Sequence, residues 1–265
     1  MSSVVATAPI APVLREPAIR AEQVTQLLLG RLALVLEDRG DWRRVHCALD
    51  GYEGWLHTGY TRLLDDAAAE AWAAAADGWS EGAVVEVGER LVRLPLGGRV
   101  RIGRNGIELP DGAMGHLIAG RVAAATVIGV GARAMPVDKW LLRFFGGAPY
   151  QWGGLTPWGV DCSGLMQTAF AARGLALPRD SFLQAEIGDE IALQDVRRGD
   201  LLFFSENGRA VTHVALLGAE GKLVHSTLSC GGFVVEPWGP GTRAAFLRDI
   251  FVIARRPVVP VRPAW

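Results

Sequence analysis

Three residues have the types and spacing for nucleophilic chemistry on an acyl group: Cys162, His213 and His225. Cys162 stands in Asp161-Cys162-Ser163-Gly164-Leu165, which opens an apolar-rich run that continues to Arg173 and stops at Gly174. An Asp immediately before such a run is a helix N-cap signal. Cys162 should therefore occupy the first helical turn, where unpaired N–H groups and the positive end of the helix dipole favour a thiolate. The thiolate is the nucleophilic form of cysteine. The competing reading is simple packing, because free cysteine is among the most buried residue types.

Val211 to Leu217 and Lys222 to Ser226 read as two β-rich runs joined by Gly218-Ala219-Glu220-Gly221, hence an antiparallel hairpin. A turn centred near Ala219 sets His213 and His225 opposite each other, so that one imidazole can orient the other. Cys162 would then attack, His213 would move protons and His225 would fix the tautomer of His213. The alternative is a zinc site, since one thiolate and two imidazoles make three ligands. No carboxylate or second cysteine falls at a telling spacing for it, so neither metal nor cofactor is expected.

These residues belong to a series of short motifs that resembles the NlpC-type papain-like cysteine peptidases, which cut bacterial cell-wall peptides. The matching pieces are Tyr150-Gln151-Trp152-Gly153-Gly154, Asp161-Cys162-Ser163-Gly164, Leu177-Pro178-Arg179, Gly199-Asp200-Leu201-Leu202-Phe203-Phe204, and Thr212-His213-Val214-Ala215 followed by His225. They keep the family's order and cover about Pro136 to Pro257. Attack on an amide builds an oxyanion, which needs donors placed beforehand. The backbone N–H of Cys162 is one candidate. Tyr150, matching a tyrosine the family places beside its nucleophile, could supply the other. Asp161 has two open roles: capping the helix, or presenting its carboxylate to a substrate ammonium.

The elements that must hold these groups read as helices first and strands after. Pro136 opens an amphipathic helix to Phe145, stopped by Gly146-Gly147; the Cys162 helix follows, then Pro178 to Gln184. Arg198-Gly199-Asp200 turns into the apolar strand Leu201 to Phe204, and Phe233 to Glu236 and Ile250 to Ala254 complete an antiparallel sheet. That is an α+β order, compatible with the papain-like arrangement that the resemblance implies for residues 134–257.

Ahead of it the chain is β-rich. Residues 9–64 carry short runs (Val24 to Leu29, Leu32 to Leu36, Trp42 to Ala48, Gly54 to His57) that read as a small barrel. The stretch Gly40 to Leu56 resembles bacterial SH3-like domains. Residues 65–133 begin with an Ala-rich helix ending at Gly78, followed by β runs, the last from Val122 to Val127. Asp50-Gly51, Gly54, Leu56 and Gly59 recur at constant offset as Asp111-Gly112, Gly115, Leu117 and Gly120, so the second segment reads as a divergent copy of the first. Tyr52 and Trp55 become Ala113 and His116 in it. Two SH3-like barrels before the peptidase resemble a subgroup that cleaves γ-D-glutamyl bonds to a diamino acid and requires a free N-terminal L-Ala. There the first barrel limits the depth of the groove. The resemblance implies a specificity pocket of Tyr150, Asp161, Ser163 and Ser181, with Tyr52 and an acid, Glu16 before Glu22, from the first barrel.

At 265 residues and 50% hydrophobic the chain has ample core material. A net charge of -1 and a pI near 6.5 give no basic field, so no nucleic-acid partner is expected. Three scattered cysteines, Cys47, Cys162 and Cys230, do not form a disulfide framework. The start, Met1 to Pro12, lacks a basic region and is broken by Pro9 and Pro12; no run approaches 18 apolar residues. Neither a secretory signal nor a membrane span is expected. The expectation is a cytoplasmic bacterial enzyme acting on released murein peptides in recycling, with the oligomeric state open. The other readings are an amidase or acyltransferase on the same core, and a non-catalytic binder of cell-wall peptides.

Overall fold

Alternating apolar residues punctuated by glycine turns make the first half of the chain almost entirely strand. The computed structural model describes residues 2–206 and 208–258, in two units, Met1–Ile128 and Gly129–Trp265. In the first unit a seven-stranded antiparallel sheet runs in the order Gln23–Leu28, Ile10–Leu14, Glu53–His57, Trp42–Cys47, Leu32–Arg39, Ser3–Ala6, Thr61–Leu64. Val4, Val13, Val45 and Leu56 meet in its core. The sheet starts at Ser3, upstream of the expected position 9, because Val4 and Val5 supply a buried strand in a segment whose prolines suggested none. Pro12 is accommodated because its strand pairs along its length on one side only, and touches Glu53–His57 just at Leu14.

A second seven-stranded sheet follows: Arg90–Arg93, Val84–Val87, Met114–Ala119, Gly106–Glu108, Leu96–Gly103, Gly78–Glu81, Val122–Ala124. Position by position this repeats the strand order of the first sheet, so the constant-offset glycines report a repeated topology. Gly54 and Gly115 lie on equivalent strands, and each faces a close approach. A Cβ on Gly54 would meet Val13 Cγ1 at 2.5 Å, and one on Gly115 would meet Val85 Cγ1 at 2.4 Å. Between the sheets Asp65 caps the helix Asp66–Ala75 by accepting from the Ala68 N–H at 2.8 Å. Trp72 on that helix donates from Nε1 to the Gly30 carbonyl at 2.8 Å.

The run Val122 to Val127 does not stay extended. Only Val122–Ala124 is strand, and Ala125–Ala134 is a helix that the β-branched Thr126, Val127 and Ile128 disguised in the sequence.

In the second unit the helix Val137–Phe145 begins one residue after Pro136 and buries Trp140, Leu141 and Phe145. A two-strand hairpin, Leu155–Thr156 with Gly159–Val160, leads into the helix Cys162–Ala171, and the short helix Ser181–Gln184 follows. The main sheet is six-stranded and antiparallel: Asp189–Ile191, Phe251–Arg256, Leu201–Phe204, His213–Leu217, Leu223–Thr227, Gly232–Glu236. All four residues of Leu201–Phe204 are buried, which marks a central strand covered on both faces. Leu202, Phe204, Leu217 and Leu223 pack with Trp238 and Leu247. The Cys162–Ala171 helix is buried at every position and packs on the His213–Leu217 and Leu223–Thr227 strands. The architecture is α+β, helices against an antiparallel sheet. No helix among the described residues is long and apolar enough to cross a membrane.

Candidate active site

Cys162 is the first residue of its helix, with Asp161 at the N-cap accepting from the Gly164 N–H at 2.7 Å. The local signal in the sequence is thus realised. Gly164 is required here, since a Cβ on it would lie 2.1 Å from the Gly154 carbonyl oxygen. The sulfur is buried, and the backbone N–H groups of Val214 and Ser163 reach it. Val214 is the neighbour of His213, so the helix tip and the start of the histidine strand meet at the Cys162 sulfur.

The ionisation state departs from the helix-tip expectation. Burial, helped by the Asp161 charge, pushes the Cys162 thiol up to about 12, outweighing those N–H groups and the nearby Arg179 guanidinium. These surroundings favour the neutral thiol over the thiolate. Burial likewise, with the charges of His225 and Arg243, pulls His213 down to about 3, leaving a neutral imidazole. A neutral thiol can act as a nucleophile only if its proton leaves as the sulfur attacks.

His213 and His225 do come together, with Nε2 of the first 2.8 Å from Nδ1 of the second. The turn is centred one residue later than expected, as Leu216 pairs with Val224 and Leu217 with Leu223. Continued, that register sets His213 opposite Thr227, so the imidazoles meet diagonally on one face rather than head-on. His213 pairs across the other side with Phe204, their rings 6.0 Å apart, so one face of the half-buried imidazole is covered. His225 Nε2 lies 2.8 Å from Glu236 Oε1. This contact is also diagonal, because His225 pairs with Val234 on the next strand. Both ring nitrogens of His225 are thereby engaged in hydrogen bonds.

Glu236 and its partner Arg243 were not singled out in the sequence. Arg243 donates to both carboxylate oxygens of Glu236 and from a third nitrogen to Ser229 Oγ at 2.9 Å. Burial alone would push the Glu236 carboxyl up. The hydrogen bonds and charges of His225 and Arg243 win, and hold it at about 2. The available signal was an acid at an inward-facing position of the apolar strand Phe233-Val234-Val235-Glu236.

Asp161 is spent on more than the cap. Its two oxygens accept from Gly153 N–H at 2.8 Å, Ser163 Oγ at 3.3 Å, and the buried Arg179 guanidinium at 3.1 and 2.5 Å, besides Gly164. A substrate ammonium would have to share them. Ser163 also accepts from Arg179 at 2.8 Å, so both neighbours of the nucleophile are tied to one buried cation. Arg179 entered the sequence reading only as part of a motif, with no role.

Tyr150 is partly buried beside the nucleophile. Burial, then the charges of Cys162 and Asp161, raise its phenol well above the usual tyrosine value, so it remains a donor. Ser181 begins its short helix and is buried. In the first unit, Tyr52 packs against the core of the first sheet and its N–H donates to Asp50 Oδ1 at 3.0 Å. Glu16 is exposed, whereas Glu22 is bound to Arg15 at 2.5 Å. Cys47 and Cys230 are free, the first buried and the second exposed.

A cysteine at a helix tip and an imidazole from the adjoining antiparallel sheet define the class of papain-like cysteine peptidases. Residues 147–240 match the NlpC/P60 family, and residues 13–59 match the bacterial dipeptidyl-peptidase Sh3 domain. The chain is 31% identical over 222 residues to the gamma-D-glutamyl-L-lysine dipeptidyl-peptidase of Bacillus subtilis, covering 76% of this chain and 71% of that protein. In fold it is similar to an NlpC/P60 family protein from Bacillus cereus, with a TM-score of 0.77 at 19% identity over 97% of this chain and 100% of that one. An NlpC/P60 endopeptidase from Photobacterium damselae gives a TM-score of 0.68 at 14% identity over 97% and 71%. The chain belongs to the NlpC/P60 family, and it is a cysteine peptidase.

Proposed function

We propose that the chain hydrolyses the γ-D-glutamyl–L-diamino acid bond of short murein peptides bearing a free N-terminal L-Ala. Cys162 attacks the γ-carbonyl, His213 takes the thiol proton and returns it to the leaving amine, and His225 orients His213. The Cys162 backbone N–H and the Tyr150 hydroxyl serve the oxyanion. The observation that carries the chemistry is the 2.8 Å contact of His213 with His225, together with the Val214 N–H on the Cys162 sulfur.

For the bond cleaved, support comes from the Bacillus subtilis relative, named for γ-D-glutamyl-L-lysine. The alignment to it takes in 76% of this chain and is too long to lie in the second unit alone. A free amine calls for carboxylates or polar groups that replace its hydration. Asp161, Ser163 and Ser181 in the catalytic segment (134–257) fill that role. Residues 65–133, with the repeated strand order, act as a second SH3-like scaffold. A cytoplasmic place in murein-peptide recycling accords with three free cysteines.

Product masses from L-Ala-γ-D-Glu-L-Lys and its N-acetylated form, with Cys162→Ala as control, test the reading. Cleavage of the free peptide alone supports it. Equal cleavage of both removes the amine requirement, and cleavage of neither rejects the substrate class.

A further inference from the structure

The diagonal contact of His213 with His225 does not end at His225. It continues to Glu236, one strand further, and Arg243 closes the chain from outside by gripping both carboxylate oxygens. We propose that Glu236, clamped by Arg243, is a positioning residue that dictates the tautomers of both histidines and so decides which nitrogen of His213 is left basic. The proposal rests on the assignment of Cys162 and His213 as nucleophile and base.

The inference follows from donor and acceptor capacity. An ionised carboxylate only accepts. His225 Nε2 must then carry a proton in the contact with Glu236, and where that is the ring's one proton its Nδ1 is left as a bare acceptor. Among the described residues the group facing that lone pair, across 2.8 Å, is His213 Nε2, which must donate. Nδ1 of His213 is thereby the free basic nitrogen. In the acylation step the Sγ–H bond of Cys162 breaks, its proton passes to His213 Nδ1, and Sγ bonds the carbonyl carbon. The proton then leaves with the departing amine as the C–N bond breaks. Glu236 takes no proton; it holds the tautomer and balances the positive charge that gathers on His213.

The surrounding charges fit this assignment. Glu236 and Arg243 act on His213, and Arg243 acts on Glu236. Ser229 and Cys230 lie on the far side of the Arg243 guanidinium. Arg243 keeps the carboxylate ionised and fixes it in one orientation, as the outer partners of metal-bound histidines do for their ligands.

Imidazole 15N spectra of the full chain at neutral pH test the proposal without reference to any substrate. His213→Gln and His225→Gln serve to identify the two resonance sets. Wild type is expected to show both histidines in the Nε2–H tautomer, and Glu236→Met to show mixed tautomers at His225. With that change kcat should fall by about 10–100-fold while KM moves less than about twofold. If the wild-type peptide turnover is too slow to measure, alkylation of Cys162 by iodoacetamide, resolved by peptide mass spectrometry, replaces kcat. Glu236→Gln, equal in size, is the second variant should Glu236→Met not fold; it keeps an acceptor but loses the charge, and is expected to give the smaller loss. Unchanged tautomers in Glu236→Met, or in Glu236→Gln together with an unchanged rate, overturn the proposal, and so does a rate that falls only in step with the folded fraction. Should His213→Gln or Cys162→Ala retain turnover, it is the nucleophile and base assignment that fails instead.

Discussion

His213 Nε2 and His225 Nδ1 lie 2.8 Å apart although the hairpin register does not set the two residues opposite each other. A diagonal pair of this kind is held by the pleat on one side and by packing on the other, Phe204 backing the His213 ring. Replacing the second imidazole should therefore affect turnover before it affects binding. His225→Ala is expected to lower kcat by about 100-fold, with KM nearly constant and His225→Gln intermediate. Steady-state kinetics on a cleaved peptide measure it. A KM effect alone would contradict the orienting role.

The neutral state of the thiol has a direct readout. With Cys162 held near 12, alkylation by iodoacetamide should climb steadily from pH 7 to 10 without a plateau. Site-resolved rates by mass spectrometry separate Cys162 from the exposed Cys230. An inflection at or below pH 7 would mean a thiolate paired with an imidazolium.

Arg179 and Asp161 form a buried ion pair with the nucleophile helix on one side and Ser163 between them. Removing one partner leaves an unpaired buried charge. Arg179→Met should cost about 3–5 kcal/mol in urea unfolding, and Arg179→Lys less, since one ammonium cannot reproduce the forked contact. Stability equal to wild type in Arg179→Met would show that the pair contributes nothing.

Acid should destabilise the second unit in two stages. The folded value of His213, about 3, lies below its ordinary 6.5, so the unfolded chain takes up the proton first. Stability is complete above about pH 6.5 and is lost as pH falls toward 3. Glu236, held at about 2 against an ordinary 4.5, adds a loss that sets in below about pH 4.5. By linkage the histidine loss amounts to roughly 3 kcal/mol at pH 4.5, and His213→Gln should remove that first stage from a pH series of thermal melts.

The repeated glycines give a paired test in the first unit. Gly54→Ala drives a methyl against Val13 and the Leu14 carbonyl, and Gly115→Ala drives one against Val85 and the Glu86 carbonyl. Each should cost about 1–3 kcal/mol by overpacking. A neutral result at both positions in chemical unfolding would mean that the strands separate freely there.

Much of the catalytic geometry was legible because it is local. A cap acts over three residues and strand alternation over two, so Asp161-Cys162-Ser163-Gly164 and the His213 and His225 runs carry their own instructions. The offset glycines, Gly54 with Gly115 above all, foretold a topology that recurs strand for strand. The strand Ser3–Ala6 and the helix Ala125–Ala134 were hidden. Proline beside the first and β-branched residues inside the second contradict the structure that tertiary packing imposes.

The sequence by itself determined that a cysteine would open a helix and that two histidines would share one face of a hairpin. Tertiary structure alone decided that burial favours the thiol, that the hairpin turns about Glu220, and that Arg179 reaches Asp161 while Glu236 and Arg243 reach His225. Desolvation depends on what other segments pile over a group, and an ion pair depends on which distant charge arrives. Neither quantity is written in the residues adjoining Cys162 or His213.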